Sequence, residues 1–512
     1  MIIIYHDYKN VIRIESTLTV NYNFKKDKSI AETLNAIASE HPFKILVWCH
    51  IDLEQFLNKE NISDFMAHSK MMFSFRPNNS NYLPNSIGYV DESPFIAINK
   101  DVRFPTWQMS SAVGMISAEV VTTLSAAIPK SSDFDYYLHS IAKTAMPKGL
   151  LCYSEPKLLK PNSTIKLPIS STSTLFKFVK QHYRTRWTLL LLLNFLLYEK
   201  KLPLFSFLIS LFHRNINARP ISLERIELRE SNDITEAETI DVIIPTIGRK
   251  KYLYDVLLDL KVQTHLPKKV IIVEQNPLPD SFTELDYIYD ESWPFEIKHI
   301  FTHQTGACQA RNKALAEVTN KWVFFADDDI RFTENVLEKS ITQLKNYNAE
   351  AVSLSCLRKN DVPLFKNVFH WHSFGSGCSV VKSEKLTHCE FKTGYEFGFG
   401  EDSDFGMQLR NKGCDVLFFP IPEILHLKAP IGGFRTKPQL QWNSEKIQPK
   451  PSPTVMLYKL LHETEKQLLG YKTILFFKNY KNQRNKNPLT YYSHFKKQWN
   501  QSVLWATKLK NT

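Results

Sequence analysis

The feature that most constrains the fold is a regular alternation of short apolar runs and amphipathic segments, which begins at Ile240. The runs are rich in β-branched and aromatic residues and predict strands, whereas the segments between them have the apolar spacing of helices. Alternation of this kind predicts an α/β fold with a doubly wound, mainly parallel sheet. The first predicted strands are IDVIIP (240–245), KKVIIVEQN (268–276), FEIKHIF (295–301) and KWVFFADDD (321–329).

Polar residues follow several of these strands, at the sheet edge where ligands of such folds bind. The clearest case is the run Asp327–Asp329, because three adjacent carboxylates repel one another unless a cation neutralises them. Mg²⁺ or Mn²⁺, bound jointly with phosphate oxygens, needs only one or two carboxylates. Strand alternation would place Asp327 and Asp329 on one side and Asp328 on the other. Capping of the next helix is the structural alternative.

A second acidic group lies in GEDSDFGMQLRNKGCDV (400–416), where Glu401 and Asp402 open a predicted helix. One of them could take a proton from a hydroxyl as a general base. The structural alternative is that both carboxylates stabilise the positive end of the helix dipole. His426 follows the next strand, and a neutral imidazole there could complete a metal site, although a lone histidine is more often structural.

Arg311 and Asn312 lie in a predicted helix that begins behind Gly306. A cation, an amide and a helix N-terminus together suit a phosphate or a ribose, and an exposed helix surface is the alternative. The chain has no P-loop, Rossmann, zincin or α/β-hydrolase motif in a suitable context, which argues against those enzyme classes.

The N-terminal part looks like a degenerate copy of part of this α/β unit. Asp52 aligns with Asp329, but His50 stands opposite Asp327 and no Arg-Asn pair is present. We therefore expect a non-catalytic partner domain, with chance similarity of amphipathic patterns as the alternative. The parallel segments are 29–53 with 306–330, 110–121 with 375–386, and 132–159 with 402–426.

Positive charge is concentrated in two regions. Residues 433–512 contain 15 Lys and Arg against 3 Asp and Glu, an excess of 12 that equals the net charge of the whole chain. Residues 160–220 contain 10 against 1. Such segments suit anionic lipid head groups or other polyanions, and solvated helix faces are the alternative. The aromatic residues interleaved in the basic tail could also bind nucleic acid, but we expect no nucleic-acid partner.

The most apolar stretch, WTLLLLLNFLLY (187–198), is too short to span a bilayer. A buried helix is the first expectation. An interfacial membrane element is the alternative, because Arg184, Arg186, Lys200, Lys201 and Arg214 flank the stretch.

The location of the protein is predicted from two further features. The 7 cysteines form no CxxC motif and are odd in number, which favours a reducing compartment. The first residues lack the basic and apolar regions of a signal peptide. We expect a cytoplasmic protein, with peripheral attachment to the inner face of the cytoplasmic membrane as an extension of that expectation.

Taken in order, seven segments between Ile240 and His426 resemble the inverting family 2 glycosyltransferases, which have the GT-A fold. GEDSDFGMQLRNKG also looks like the acceptor motif of galactosyl- and N-acetylgalactosaminyltransferases. The departure from the family pattern is Glu274-Gln275 where Asp-Asp or Asp-Asn is usual, so the nucleobase preference stays open, with uridine expected. The seven segments are VIIPTIGR, VIIVEQN, GACQARNKALAEV, FFADDDI, GSGCSVV, GEDSDFGMQLRNKG and ILH.

The resemblance implies a role for each matching residue. Asp327 and Asp329 would form the DxD metal motif, with Asp329 the main ligand and His426 a further one. Asp402 would be the catalytic base, with Glu401 beside it at the acceptor. The donor-binding residues would be Pro245, Thr246 and Glu274 at the nucleobase and ribose, Arg311 near the nucleotide, and Gly377 at the sugar.

Together these features predict an enzyme that uses Mn²⁺ or Mg²⁺. It would move a hexose or N-acetylhexosamine from a nucleotide-diphosphate sugar, with a UDP-sugar expected, to a saccharide or lipid-linked acceptor. An inactive nucleotide-sugar-binding or scaffold protein is the alternative, and a sugar-phosphate nucleotidyltransferase is disfavoured because PTIGRKKYL is short and has one glycine. The expected domains are 1–162 (degenerate GT-A-like), 163–237 (basic, apolar helical connector), 238–435 (catalytic GT-A) and 436–512 (basic helical region).

Overall fold

The structure is a computed structural model that describes residues 1–16, 27–60, 62–78, 80–161, 163–216, 221–228, 238–430, 439–483 and 486–511. The chain forms two compact units. The first comprises Met1–Arg229 and Glu463–Lys478, and the second comprises Glu230–His462 and Asn479–Thr512. The expected domain boundaries near 162, 237 and 435 fall on or beside residues outside the described ranges, so the four-part division stays a prediction.

The second unit is built on a mixed sheet of nine strands, in the order β10-β9-β8-β11-β15-β13-β16-β12, with β14 beside β16. Strands β10, β9, β8 and β11 are parallel to one another, β15 runs antiparallel to both of its neighbours, and β13 and β16 are again parallel. The strands are β8 (Ile240–Ile247), β9 (Lys269–Gln275), β10 (Glu296–Thr302), β11 (Trp322–Ala326), β12 (Ile330–Arg331), β13 (Ala351–Leu357), β14 (Phe369–His370), β15 (Cys378–Lys382) and β16 (Val416–His426).

Helices follow the parallel strands, as the alternation predicts. The first of them buries Leu253, Val256, Leu257 and Leu260, whose helical spacing places them on one face. Strand β9 is buried along its whole length, which explains its continuous apolar run. The helices of this part are α8 (Lys250–Lys261), α9 (Tyr287–Asp290), α10 (Ala307–Leu315), α11 (Val336–Asn346) and α12 (Glu401–Asn411).

The first unit contains a seven-stranded sheet in the order β2-β1-β3-β6-β4-β7-β5. Its path β1-β3-β6-β4-β7 matches β8-β11-β15-β13-β16 of the second unit, and the successive pairs are parallel, antiparallel, antiparallel and parallel in both. The predicted degenerate copy is therefore confirmed as a fold. Its strands are β1 (Ile2–His6), β2 (Val11–Ser16), β3 (Ile45–His50), β4 (Met71–Phe75), β5 (Phe104–Pro105), β6 (Val113–Ser117) and β7 (Leu151–Ser154).

Seven helices complete the N-terminal part of the first unit in the residues described. Helix α1 begins at a capping box, in which Ser29 and Glu32 satisfy each other's backbone amides. The helices are α1 (Ile30–Glu40), α2 (Ile62–Phe65), α3 (Ala118–Leu124), α4 (Phe134–Ala145), α5 (Thr172–His182), α6 (Arg186–Asn194) and α7 (Leu204–Ser210).

The basic C-terminal region is helical, as expected, and its helices are shared between the units. Helices α13 (Pro453–His462) and α15 (Pro488–Leu509) belong to the second unit, and most of α14 (Glu465–Tyr480) belongs to the first. Within the first unit, the Gln467 amide donates hydrogen bonds to the carbonyls of Asp91 (3.1 Å) and Ser93 (2.9 Å). In the described parts of the chain, the helices are all too short or too polar to cross a bilayer.

Candidate functional site

A cleft of about 470 Å³ opens in the second unit, beyond the carboxyl ends of β8, β9 and β11. Loops that follow these strands and the starts of α10 and α12 form its walls. The residues lining it are Pro245, Thr246, Ile247, Arg249, Gln275, Thr305, Gly306, Ala307, Arg311, Asp327, Asp328, Asp329, Ser376, Glu396, Phe397, Glu401, Asp402, His426 and Lys428.

Asp328 is the most enclosed of the three adjacent aspartates. Its carboxylate accepts hydrogen bonds from the Thr246 hydroxyl (2.6 Å) and from Nη1 of Arg249 (2.6 Å). Burial raises the pKa of Asp328 to about 6 against the opposing charge of Arg249. All three aspartates line the cleft, because β11 ends at Ala326 and strand alternation no longer separates their side chains. The expectation that Asp328 faces away from the other two is therefore wrong.

Asp329, just after β11, contacts the end of β16 and the loop that follows it. One carboxylate oxygen accepts from the backbone N–H of Ala429 (2.8 Å) and lies 3.3 Å from Nη1 of Arg249. The other lies 3.4 Å from Nε2 of His426. Burial alone would raise the pKa of Asp329, but the His426 contact, the Arg249 charge and the Ala429 amide hold it below its usual value. The hydrogen bond to Asp329 in turn raises the pKa of His426.

Asp327 is the most accessible aspartate and forms an ion pair with the buried Arg311 (3.0 Å). Gly377 lies against the Asp327 carboxylate so closely that a Cβ atom at this position would overlap it. The glycine therefore permits the backbone of β15 to approach the aspartate. The guanidinium of Arg311 also lies 5.5 Å from the centre of the Phe391 ring, which fixes its position from the other side.

Glu401 and Asp402 begin α12 and face the same cleft. Burial, followed by the charge of Asp402, raises the pKa of Glu401 to about 7. Burial also raises the pKa of Asp402, against the opposing charge of Arg311 and the hydrogen bond from Ser376. Within the described residues, one oxygen of each carboxylate is buried without a hydrogen-bond partner. Both side chains therefore have an acceptor position available to a bound hydroxyl.

The start of α10 is held by two residues that sequence reasoning did not assign to the site. The side chain of Gln275 accepts a hydrogen bond from the N–H of Gly306 (2.6 Å). Glu396 accepts from the N–H groups of Cys308 (3.2 Å) and Gln309 (3.1 Å), and a side chain at Gly306 would overlap it. Glu396 therefore caps the helix N-terminus that was expected to face the nucleotide.

Glu274, the neighbour of Gln275, is engaged elsewhere. Its carboxylate accepts from the Thr283 hydroxyl (2.6 Å) and the Glu284 N–H (3.0 Å), and it lies 3.0 Å from Nε2 of His299. It does not belong to the residues that line the cleft. Its assignment to the nucleobase and ribose stays a prediction.

No group of three His, Cys, Asp or Glu side chains is arranged to hold a metal ion by itself in the described part of the chain. The donor set nevertheless fits a cation that is shared with a diphosphate. Asp329 and His426 present an oxygen and a nitrogen 3.4 Å apart, and Asp327 lines the same cleft. Mg²⁺ sites of this kind use one or two carboxylates and complete their coordination with phosphate and water.

The structure brings most of the predicted site residues together. Two do not line the cleft, since Glu274 is turned into its own network and Gly377 lies behind Asp327. Sequence reasoning missed Arg249, Gln275 and Glu396. Arg249 ends the segment VIIPTIGR, and its place in that segment is the signal by which it could have been found. The predicted residues that line the cleft are Pro245, Thr246, Arg311, Asp327, Asp329, Glu401, Asp402 and His426.

In the described part of the first unit, other residues occupy the position that corresponds to the three aspartates. His50 ends β3 there, and its Nδ1 accepts a hydrogen bond from the N–H of Asp52 (3.2 Å). The Asp52 carboxylate lies 3.7 Å from the same ring nitrogen. A single histidine and a single exposed aspartate thus occupy the place of the three aspartates.

Comparison with known proteins agrees with the fold of the second unit. Residues 241–399 match the family described as glycosyl transferase family 2. No curated protein matches the chain in sequence. Similar solved structures include S. aureus TarS, which is 18% identical, with 38% of this chain and 37% of that chain covered and a TM-score of 0.32.

Two further structures contain bound ligands. S. aureus TarS 1–349 in complex with UDP-GlcNAc is 15% identical, with 46% of this chain and 70% of that chain covered and a TM-score of 0.35. GalNAc-T7 with UDP, GalNAc and Mn²⁺ is 12% identical, with coverages of 38% and 44% and a TM-score of 0.32. The match thus spans 37% of the TarS structure named first. The match to the family described as glycosyl transferase family 2 lies within the second unit, and it includes the three aspartates and most of the strands that position them.

Proposed function

We propose that this protein transfers a hexose or N-acetylhexosamine from a UDP-sugar to a hydroxyl of a saccharide or lipid-linked acceptor, with inversion at the anomeric carbon. The observation that carries the proposal is the placement of two acidic groups around one cleft. Asp327 and Asp329 lie at the strand ends, and Glu401 and Asp402 lie at the start of α12. One group suits the donor diphosphate with its cation, and the other suits the acceptor hydroxyl.

The donor is favoured by the cations of the cleft. Arg249 and Arg311 both line it, and each is paired with an aspartate at its edge. Guanidinium groups bind phosphate oxygens with charge-assisted hydrogen bonds, so a diphosphate could share these cations with the aspartates. Pro245 and Thr246 lie near the carboxyl end of β8 at the same edge, where we place the nucleoside. Glu274 stays our candidate for the ribose or base, through a rearrangement of its contact with His299.

A divalent cation would be held by Asp329 and His426, with Asp327 as a further carboxylate in the same cleft. When bound, Mn²⁺ or Mg²⁺ would neutralise charge that develops on the departing diphosphate. The chain's own part is to keep these donors in place. Arg249 fixes Asp329 from one side and the Ala429 amide fixes it from another, so the carboxylate can orient without a metal.

Asp402 is our candidate for the general base. Its raised pKa brings it closer to the working pH than an ordinary aspartate, and one of its oxygens is free to accept from a bound hydroxyl within the described residues. The acceptor oxygen would attack the anomeric carbon while its proton moves to Asp402. The bond to the diphosphate oxygen would break with its electron pair on the diphosphate. One displacement of this kind inverts the configuration.

The experiment separates donor binding from transfer. We expect Asp329→Ala to lose Mn²⁺-dependent stabilisation by UDP-sugars in a thermal shift assay. We expect Asp402→Asn to keep that stabilisation but to lose transfer by about 10²–10⁴-fold. Asp286→Asn, at an exposed aspartate of the same unit, is the matched control.

Full transfer by Asp402→Asn would disprove the assignment of the base. Donor binding by the wild type without transfer to any acceptor tested would favour the inactive binding protein instead.

We also propose a cytoplasmic location. The seven cysteines form no disulfide in the structure, and none is more than partly accessible, which is in keeping with a reducing compartment. Detection of the protein by fractionation with an antibody, in the cytosol or at the inner membrane face, tests this assignment. Recovery from an oxidising compartment with cross-linked cysteines would contradict it.

A further inference from the structure

The segment from α6 to α7 has an apolar surface on its solvent side. Ten of the 29 large hydrophobic side chains exposed in the described chain lie between Leu189 and Phe212, and we call these ten the apolar strip. Two of its members are among the most exposed apolar residues, with Phe205 at 75% and Phe212 at 88%. A concentration of exposed apolar side chains in one segment suggests an interaction site, because single scattered ones are the usual case on a protein surface.

The strip is exposed although the helices that carry it are anchored. Leu191, Phe195 and Phe207 are buried in the core of the first unit. The ring of Phe176 on α5 lies 5.9 Å from that of Phe195 and 6.3 Å from that of Phe207. The inner face of the segment is therefore packed against the core of the first unit, and the strip is a different apolar face, which is exposed to solvent.

Helix α7 shows the two faces most clearly. Phe207 and Ser210, three residues apart, point inward and are buried. Leu204, Phe205 and Leu208 point outward and are exposed, and Phe212 continues the same side beyond the helix. An ordinary surface helix has polar residues on its outer face, where this one has leucine and phenylalanine. The stretch 187–198, for which a buried helix was the first expectation, is likewise buried at Leu191 and Phe195 but exposed at Leu189, Leu196 and Leu197.

The residues around the strip are positively charged, which favours a negatively charged partner. Arg184, Arg186, Lys200, Lys201 and Arg214 are all exposed and flank the strip or interrupt it. Glu199 is the only acidic residue between 172 and 216 in the sequence, and its carboxylate is already paired with Lys466 (3.1 Å). The surface thus joins apolar side chains to positively charged ones.

We propose that the apolar strip inserts into the head-group region of an anionic lipid bilayer and holds the first unit on the membrane. Interfacial segments combine leucine and phenylalanine on one face with lysine and arginine at its edge. Lys200 is left-handed (φ 56°), and Pro203 follows it. This turn ends the preceding helical segment and places Lys200 and Lys201 between the two apolar stretches. The proposal extends the proposed function by naming a membrane surface, and it does not depend on transfer activity.

The test is flotation of the full-length protein with lipid vesicles, without donor or metal. We expect binding to vesicles of phosphatidylcholine mixed equally with phosphatidylglycerol, and much weaker binding to phosphatidylcholine alone. The double substitution Phe205→Ser and Phe212→Ser should lower the partition coefficient, by about tenfold for each phenylalanine that enters the bilayer. The double substitution Lys200→Gln and Lys201→Gln should weaken binding to the anionic vesicles about fivefold per charge removed. It should not change binding to vesicles of phosphatidylcholine alone.

Phe43→Ser is the matched control, because Phe43 is 92% exposed in the same unit but lies far along the chain from the strip. It should bind as the wild type does. Equal binding of the wild type and of the double phenylalanine variant would overturn the proposal, as would equal losses in that variant and in Phe43→Ser. The membrane proposal would also be overturned if the wild type did not bind vesicles but formed dimers that the phenylalanine substitutions abolish. That result would assign the strip to an interface with a second copy of the chain.

A direct readout comes from labelling. None of the seven native cysteines is exposed. A thiol introduced by Leu208→Cys can therefore carry an environment-sensitive fluorophore with little background. We expect a blue shift of its emission on anionic vesicles and none for a label introduced by Phe43→Cys. Failure of the proposed transfer reaction would leave these results unchanged, so the two proposals fail independently.

Discussion

Arg249 supplies positive charge to two of the three adjacent aspartates in the cleft. Its guanidinium contacts Asp328 at 2.6 Å and Asp329 at 3.3 Å. The Arg249 side chain is 13% exposed and that of Asp328 is 3% exposed, so the pair is largely removed from solvent. We predict that Arg249→Met strongly destabilises the second unit, because it leaves the Asp328 carboxylate buried with no ionic partner.

The size of the effect follows from this burial. Loss of one partner of a buried ion pair costs about 3–5 kcal/mol. In a unit of this size each kcal/mol lowers the unfolding temperature by about 2–4 °C, so we expect a decrease of roughly 6–20 °C. Lys250→Met is the matched control, since Lys250 pairs with Asp286 at 2.8 Å on the exposed surface. That pair should contribute about 1 kcal/mol or less.

The effect should also depend on pH in a defined direction. Burial already raises the pKa of Asp328 to about 6, so stability is lost as the pH rises from the ordinary carboxylate range through that value. Removal of Arg249 raises the pKa further and enlarges this loss. The difference between variant and wild type should therefore be largest above neutral pH and should shrink well below pH 6, where Asp328 is protonated.

Scanning calorimetry at several pH values measures both quantities. The double variant Arg249→Met with Asp328→Asn should recover most of the lost stability, because it removes the buried charge together with its partner. The reasoning would be refuted by a single variant that unfolds within a degree or two of Lys250→Met. A double variant no more stable than the single one would refute it equally.

Two further predictions concern the cleft itself. Gly377→Ala should displace the Asp327 carboxylate and raise the donor Kd at least tenfold in calorimetric titrations, because its Cβ would overlap that carboxylate. Gly248→Asn is the control and should leave the donor Kd unchanged, because Gly248 has a left-handed backbone (φ 59°) that asparagine tolerates and no atom lies within 4 Å of its Cβ position. Equal effects of the two substitutions on the donor Kd would contradict this prediction. Transfer should decline as the pH falls into the acidic range, because protonation of Asp402, whose pKa is raised by burial, removes the base. Glu401→Gln should shift this limb of the kcat/KM profile to lower pH by removing the charge beside Asp402, and an unchanged profile would contradict the pairing.

The fold could be predicted well from the sequence because its signals are local. The run of β8 and the spacing of Leu253, Val256, Leu257 and Leu260 each determine one element with little help from the rest of the chain. The antiparallel insertion of β15 between β11 and β13 could not be predicted, because pairing of distant strands leaves no mark in either strand alone.

Part of the site could also be predicted, because some of its residues are conspicuous in the local sequence. Asp327, Asp329 and Asp402 stand out because carboxylates at strand and helix ends are conspicuous in sequence. Glu396 and Gln275 do not stand out, because their role depends on how close they come to Gly306 in space. Glu274 is the opposite case, because the sequence predicts it in the site but it does not line the cleft. A polar residue at a strand end was expected to face the ligand, but its neighbours Thr283 and His299 offer it partners.

The path of the chain through the two units has a consequence for biosynthesis. Helix α14 belongs to the first unit, where Gln467 bonds to the carbonyls of Asp91 and Ser93, yet it is translated after nearly all of the second unit. The first part to emerge from the ribosome must therefore wait for one of the last helices before its final hydrogen bonds can form. A stop codon before Glu465 would therefore remove a helix of the first unit, with its hydrogen bonds to Asp91 and Ser93, as well as the end of the second unit.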